Sequence, residues 1–271
     1  MKDFCLELAS KQEGFNSKLN IMREYLQAYI LRIMHDNGVF HEYAFLGGTA
    51  LRFLYGLPRF SEDLDFSLVR QEKLLFLNLL KKIKEELSLA GYDVSLTYND
   101  KKNVQHSFIK FGSLMFESGI SPLKTQKFSI KIEFDVNPPD GAELNTVVVN
   151  KYFPISFMSY DVPSLFAGKI HALFSRKYTK GRDFFDLGWY LSKWKDLSPN
   201  LTLLRNALVQ TGWEKDFPTS GNWVSLLQKT VADADWNKVK QDVQSFLENP
   251  SDLNILTKEN VLNLIKQRKA K

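Results

Sequence analysis

Cysteine occurs once in the 271 residues, as Cys5. A single thiol makes no internal disulfide and no cysteine-rich zinc site, and it suits a reducing cytoplasm. Its surroundings read as those of a half-buried helix residue. Long apolar runs are missing too. No segment approaches the roughly 20 apolar residues that span a bilayer, and the opening "MKDFCLELAS" lacks the continuous apolar stretch of a signal peptide. A cytoplasmic protein without membrane contact is therefore expected. Internal repeats and low-complexity segments are also lacking, so disorder is expected only at the ends.

What the chain does have is core-forming material. Hydrophobic residues make up 44% and aromatics 13%, including 21 phenylalanines, which implies well-filled cores. The length suits one large domain or two modest ones. The net charge of +5 and the pI near 9.0 favour an anionic partner such as nucleic acid or a nucleotide. Much of that excess sits in "KKIKEEL" and the terminal "KQRKAK", where solvated charge is ordinary.

Periodicity divides the chain. Leu19, Met22, Leu26, Ile30 and Ile33 are spaced for a long amphipathic helix over 17–38, ending near Gly38. "YAFLGG" reads as a buried strand running into a turn. "TALRFLYG" reads as a short helix capped by Thr49 and stopped by Gly56 and Pro58. "EDLDFSL" alternates as a strand, and a helix over 72–91 closes at Gly91. "YDVSLTY", "QHSFIKFGSLMF", "KFSIKIEFDVNPP", "TVVVNKYF" and "ISFMSYDV" read as extended pieces. From Pro163 the pattern turns helical, through "PSLFAGKIHALFSRKYT" and "GRDFFDLGWYLSKW" to three or four further helices. The reading is two domains: residues 1–160 of α/β character, and a helical 161–271.

Chemistry concentrates in "RFSEDLDFSL". Residues i and i+2 of a strand share a face, so Asp63 and Asp65 project side by side, opposite Leu64 and Phe66. Two adjacent carboxylates repel and resist losing solvent, and a strand facing water tolerates them. Three neighbours favour a site instead. Gly47 and Gly48 lie where a strand meets a helix start, the place where backbone amides and the helix dipole attract phosphate. The "KIEFDV" strand carries Glu133 and Asp135, also two apart, either of which adds a third oxygen donor for a hard divalent cation. Arg59 and Ser61 directly precede the acidic strand. They are placed either to orient the carboxylates or to contact phosphate, and Arg59 otherwise reads as a surface or cap residue.

"FLGGTALRFLYGLPRFSEDLDFSL" resembles the signature of nucleotidyltransferases with the DNA polymerase β-like fold, and more closely the AbiEii family of bacterial type IV toxin–antitoxin and abortive-infection systems. Gly47, Gly48, Arg59, Ser61, Asp63 and Asp65 match its turn and its Arg-x-Ser/Thr-x-Asp-x-Asp segment. "KIEFDVNPP" is similar to its third-acid strand, with Glu133 preferred over Asp135 as ligand. "LFAGKIHALFSRKYTKGRDFFDLGWYL" resembles its later motifs, matching Lys169, Asp183 and Asp186. The resemblance covers about residues 40–195.

It implies a mixed sheet with flanking helices and a helical C-terminal part closing a cleft. It implies transfer of a nucleoside monophosphate from an NTP with Mg²⁺ or Mn²⁺. Asp63, Asp65 and Glu133 would hold metal, and Gly47, Gly48 and Thr49 would cradle phosphates. Lys169 would neutralise them, with Asp183 orienting it or contacting the acceptor. The implied acceptor is RNA, perhaps a tRNA 3′ end, and the implied partner is a winged-helix antitoxin. A protein or small-molecule acceptor such as an antibiotic, and a non-catalytic binding module, are the alternatives. Asp183, Asp186 and Tyr190 share a helix face, and capping with a salt bridge to Lys169, Arg176 or Arg182 explains the acids as well as catalysis does. Phe184, Phe185, Trp189 and Trp194 read as a helix seam, and His171 as packing.

Overall fold

A computed structural model describes residues 1–70 and 76–268. Two compact units emerge. The first comprises 1–56, 60–137 and 145–159; the second comprises 57–59, 138–144 and the chain from 160 onward. Two short segments of the first 160 residues thus join the helical unit.

In the first unit, α1 (Lys2–Ser10) and α2 (Phe15–Asp36) precede the sheet. Gly38, at φ +76°, ends the α2 region in the left-handed conformation that glycine adopts without strain. Strand β1 (Tyr43–Leu46) runs directly into α3 (Gly47–Tyr55), and β2 (Leu64–Leu68) follows. Helix α4 is described over Phe76–Leu89 and closes before Gly91, at φ +90°; the start of the expected 72–91 helix falls outside the described residues.

Strands β3 (Val94–Asn99), β4 (Val104–Phe111), β5 (Phe128–Asp135), β6 (Leu144–Asn150) and β7 (Pro154–Tyr160) complete a seven-stranded mixed sheet. Its order is β3-β4-β5-β2-β1-β7-β6. β2 runs antiparallel to β1 and parallel to β5, and β1 runs parallel to β7. The stretch expected to stay extended through "GSLMF" does not. Ser113 sits at φ +53°, which no strand accommodates, and Leu114–Glu117 forms the one-turn helix α5.

Register explains why β2 carries acids. Phe45 pairs with Phe66, and Phe66 with Phe134. Their rings stack at 5.4 and 4.8 Å between centroids, and Phe157 continues the stack from Phe45 at 5.3 Å. Each such contact adds about 1 kcal/mol to the burial itself. Alternation then sends Asp65 and Glu133 to the other face. Cys5 is fully buried rather than half-buried, and burial raises its thiol to about 12, as befits an inert packing residue.

The second unit is helical: α6 (Val162–Ser175), α7 (Gly181–Lys193), α8 (Leu201–Gln210), α9 (Trp223–Asp233), α10 (Trp236–Val243), α11 (Asp252–Ile255) and α12 (Lys258–Lys266). After α7 there are five α-helices among the described residues against the three or four expected, and α11 is a single four-residue turn. Phe184 of α7 meets Trp236 of α10 edge to face at 5.8 Å, an interhelical contact of the kind expected, whereas Trp189 contacts Trp194 at 5.1 Å within the end of α7 itself. Residues 269–271 of the basic tail lie outside the described residues.

Candidate functional site

The glycine turn is built around an aspartate. Gly47 adopts φ +80°, and a Cβ there would stand 2.0 Å from Asp65 Oδ2. Only a residue without a side chain lets β1 turn into α3 while the Asp65 carboxylate sits against the turn. The residue preceding α3 is Leu46, whose side chain has no acceptor to compete for the first-turn amides. Gly47→Ala is expected to cost about 1–3 kcal/mol from backbone strain and to push Asp65 aside. A lowered melting temperature together with lost nucleotide binding, against the wild type, checks this.

Thr49 is fully buried, and its hydroxyl donates to the backbone carbonyl of Asp63. It is not the helix cap that the sequence suggested. Its side chain instead ties the first turn of α3 to the acidic segment. Buried Gln27 of α2 does the same from the other side, donating from Nε2 to the carbonyls of Ser61 at 3.1 Å and Glu62 at 3.0 Å. Ser61 and the half-buried Asp63 are thus held through their own backbone or their neighbour's. Gln27 was not anticipated. Its signal was a polar residue one position after Leu26, inside a stretch of α2 that is buried on nearly every side.

Asp65 pairs in register with Glu133 of β5, which pairs with His106 of β4, which pairs with Asn99 of β3. Register partners share a sheet face, so these four side chains form one row across adjacent strands. Asp63 lies two residues before Asp65, at the entry to β2. Lys131 Nζ contacts Glu133 Oε1 at 2.8 Å. Asp135 lies one row away, opposite Ser67, and accepts a hydrogen bond from the backbone N–H of Asn137 at 3.0 Å. Burial raises its pKa despite that bond. The row that joins the two strands' acids therefore runs through Glu133.

The donors are all carboxylate oxygens, the set a hard cation such as Mg²⁺ takes, and Asp65 and Glu133 are side by side. Among the described residues, no three His, Cys, Asp or Glu side chains converge on one point, and Glu133 is turned to Lys131. The residue types and register fit a divalent ion, which Glu133 would meet only by leaving Lys131.

In the second unit, Asp186 of α7 is 0% exposed. Arg59 grips it with Nε and Nη2, each at 2.6 Å, and Lys169 Nζ approaches its Oδ2 at 2.6 Å. Lys169 also reaches Asp183 Oδ1 at 3.4 Å, and Arg176 Nε reaches Asp183 Oδ2 at 2.9 Å. Arg59, which the sequence placed to orient the strand's carboxylates, to contact phosphate, or otherwise at the surface or a cap, is 2% exposed and engaged by Asp186. Of the three basic partners considered for the acids, Lys169 and Arg176 are in place. Arg182 turns to Asp242, 3.6 Å away, instead. His171 packs as expected, with Nε2 3.0 Å from Thr211 Oγ1 and burial lowering its pKa.

Burial alone would raise the Asp186 pKa, but Arg59 and Lys169 outweigh it and hold the carboxyl below the usual range. A depressed carboxyl stabilises the fold above its unfolded pKa, and that contribution is lost as pH falls through the folded value. The second unit is therefore expected to keep full stability near neutrality and to lose it progressively below about pH 4. Thermal melts between pH 7 and 2.5, followed by tryptophan fluorescence, check this. All five tryptophans, Trp189, Trp194, Trp213, Trp223 and Trp236, lie in this unit.

The family model of the nucleotidyl transferase AbiEii toxin of type IV toxin–antitoxin systems matches residues 29–258. The chain belongs to this family. Its AbiEii membership makes it a nucleotidyltransferase of toxin–antitoxin type, which implies an NTP substrate and a partner antitoxin. Among solved structures, MenT4, a nucleotidyltransferase toxin of Mycobacterium tuberculosis H37Rv, is similar at TM-score 0.59 and 14% identity, over 99% of this chain and 90% of that one. JHP933 of Helicobacter pylori is similar at TM-score 0.53 and 20% identity, over 90% and 89%. A further H. pylori structure, described as a candidate nucleotidyltransferase, aligns at 0.55 and 20% over 92% of each chain. At these identities the likeness concerns the fold. No curated protein matches the sequence significantly. No helix among the described residues is long and apolar enough to cross a membrane.

Proposed function

We propose that this AbiEii protein transfers a nucleoside monophosphate from an NTP to RNA, with a tRNA 3′ end as the preferred acceptor. The observation that carries the reading is the row in which Asp65, packed against the Gly47 turn, stands in register with Glu133. An acid pair facing plain water needs neither the glycine nor the paired acid.

Asp63, Asp65 and Glu133 would hold Mg²⁺ or Mn²⁺. Such ions supply Lewis-acid stabilisation of charge on the α-phosphate and on the attacking oxygen. The turn amides of Gly47, Gly48 and Thr49 receive the β- and γ-phosphates at the positive end of α3. The acceptor hydroxyl oxygen attacks the α-phosphorus, and its proton passes to the Glu133 carboxylate. The bond between the α-phosphorus and the oxygen bridging to the β-phosphate breaks, and pyrophosphate leaves. Lys131 neutralises Glu133 in this structure, and Glu133 would have to leave it to hold a metal ion. Lys169 is the cation assigned to nucleotide phosphate, and Asp183 orients it. Asp186 and Arg59 act through Lys169 as positioning residues, because both are buried. The antitoxin is assigned to the winged-helix class, on the family resemblance.

The test offers purified protein total cellular RNA, Mg²⁺ and each α-³²P-labelled NTP in turn, beside an Asp63→Ala/Asp65→Ala variant. Label in a tRNA-sized band with wild type alone is the expected result. RNA left unlabelled by a protein that still binds Mg²⁺–NTP would move the acceptor to a protein or small molecule.

A further inference from the structure

Where α6 ends, the second unit carries a cavity of about 260 Å³ with an unusual lining. Arg176, Lys177, Lys180 and Lys215 contribute four cations, and Tyr178 and Trp213 contribute aromatic rings. Trp213 stacks on Phe174 at 5.7 Å and 26°, which fixes the indole as a flat platform. Lys215 lies 5.1 Å from the Trp213 ring, and Arg176 lies 5.8 Å from that of Tyr178. Tyr178 is 64% exposed, a large ring left in water.

The carboxylates at this cavity do not balance its cations. They are Asp183 and Asp233, and Asp183 is already shared by Lys169 and Arg176. Lys180 shows the surplus. Burial and the neighbouring Arg182 and Arg176 lower its pKa against a weaker opposing pull from Asp183. Crowded, undercompensated cations favour an anion, and the interleaved rings favour flat bases. Together these are the chemistry of a single-stranded nucleic acid, whose backbone follows the charge and whose bases stack on the rings.

We propose that this cavity binds the single-stranded end of the RNA acceptor, with bases on Tyr178 and Trp213 and phosphates on Lys177, Lys180 and Lys215. The inference rests on the RNA reading of the proposed function and adds the surface that selects an unpaired end. Two rings and four cations spread over 176–180 and 213–215 suit a chain of repeating phosphates and bases better than a single small molecule.

The experiment uses the full chain without NTP and short RNA hairpins with or without a four-nucleotide 3′ overhang, the overhang carrying 4-thiouridine for photocrosslinking. Lys177→Glu/Lys215→Glu and Tyr178→Ala alter exposed positions outside the residues proposed for metal and for the NTP phosphates. Wild type should prefer the overhang, crosslink to a peptide holding Tyr178 or Trp213, and lose about tenfold in affinity in either variant. The logarithmic salt slope of the charge-reversal variant should fall by about 1.4, roughly 0.7 for each lost phosphate contact. Label transfer in the same preparations separates the two claims. If wild type labels RNA and both variants bind and label as it does, the cavity assignment is wrong and the RNA reading stands. If wild type neither binds nor labels RNA, both fail. A variant that loses NTP binding while keeping RNA binding makes the cavity a nucleotide site and overturns the proposal.

Discussion

Asp65→Asn is expected to abolish nucleotidyl transfer while leaving the protein as stable as wild type, or slightly more so. The substitution keeps the shape that fits against Gly47, so the turn into α3 survives. What it removes is charge, at the one position that contacts the glycine turn and stands in register with Glu133. Metal-bound stabilisation of a reacting phosphate is worth several kcal/mol, and a loss of about 4 kcal/mol is about a thousandfold in rate. Neutralising one of several neighbouring carboxylates also relieves repulsion, so the melting temperature should hold or rise by a few degrees. Pyrophosphate release and a thermal melt on one preparation check both halves. A parallel loss of activity and stability would mean that Asp65 serves the fold.

Asp186→Asn is expected to do the reverse. Its carboxylate is fully buried and held by Arg59 and Lys169, so neutralising it removes the counter-charge shared by buried Arg59 and half-buried Lys169. Breaking such an arrangement from one side costs about 3–5 kcal/mol, a large share of ordinary domain stability. Because all five tryptophans lie in the second unit, denaturant unfolding followed by their fluorescence isolates the effect. Arg59→Met combined with Asp186→Leu should recover part of the loss, since replacing both partners by apolar side chains removes the stranded charge. A stable Asp186→Asn protein that is nonetheless inactive would instead make Asp186 a catalytic residue.

These contrasting expectations reflect what the sequence could and could not say. The period-two alternation of "EDLDFSL" and the glycines before it located the acidic strand, because alternation is a local property of backbone geometry. The opposite face, where Phe45, Phe66 and Phe134 stack, is the same alternation seen from behind. The position of Lys169 near Asp183 and Asp186 was legible from helix spacing and motif resemblance. The partner of Arg59 was not, because Asp186 lies 127 residues away and only tertiary packing joins them. Gln27, Lys131 and His106 were missed for related reasons. Gln27 hid among several polar residues of a helix buried on nearly every side, and Lys131 looked like ordinary strand charge. His106 gained its place only when β4 was registered against β5. The break at Ser113 was equally invisible, since "GSLMF" has strand-like composition and only its positive φ ends β4.

On the proposed function, the row through Asp65 and Glu133 moves the α-phosphate of an NTP to RNA. Following two labels at once tests it most directly. Matched reactions with α-³²P and γ-³²P NTP would be run with RNA and Mg²⁺, for wild type and Asp65→Asn, and pyrophosphate would be counted against label incorporated. The account predicts α-label in RNA, γ-label only in pyrophosphate, one pyrophosphate per nucleotide added, and none of these with Asp65→Asn. Transfer of γ-label to RNA, or undiminished α-label transfer by Asp65→Asn, would contradict it.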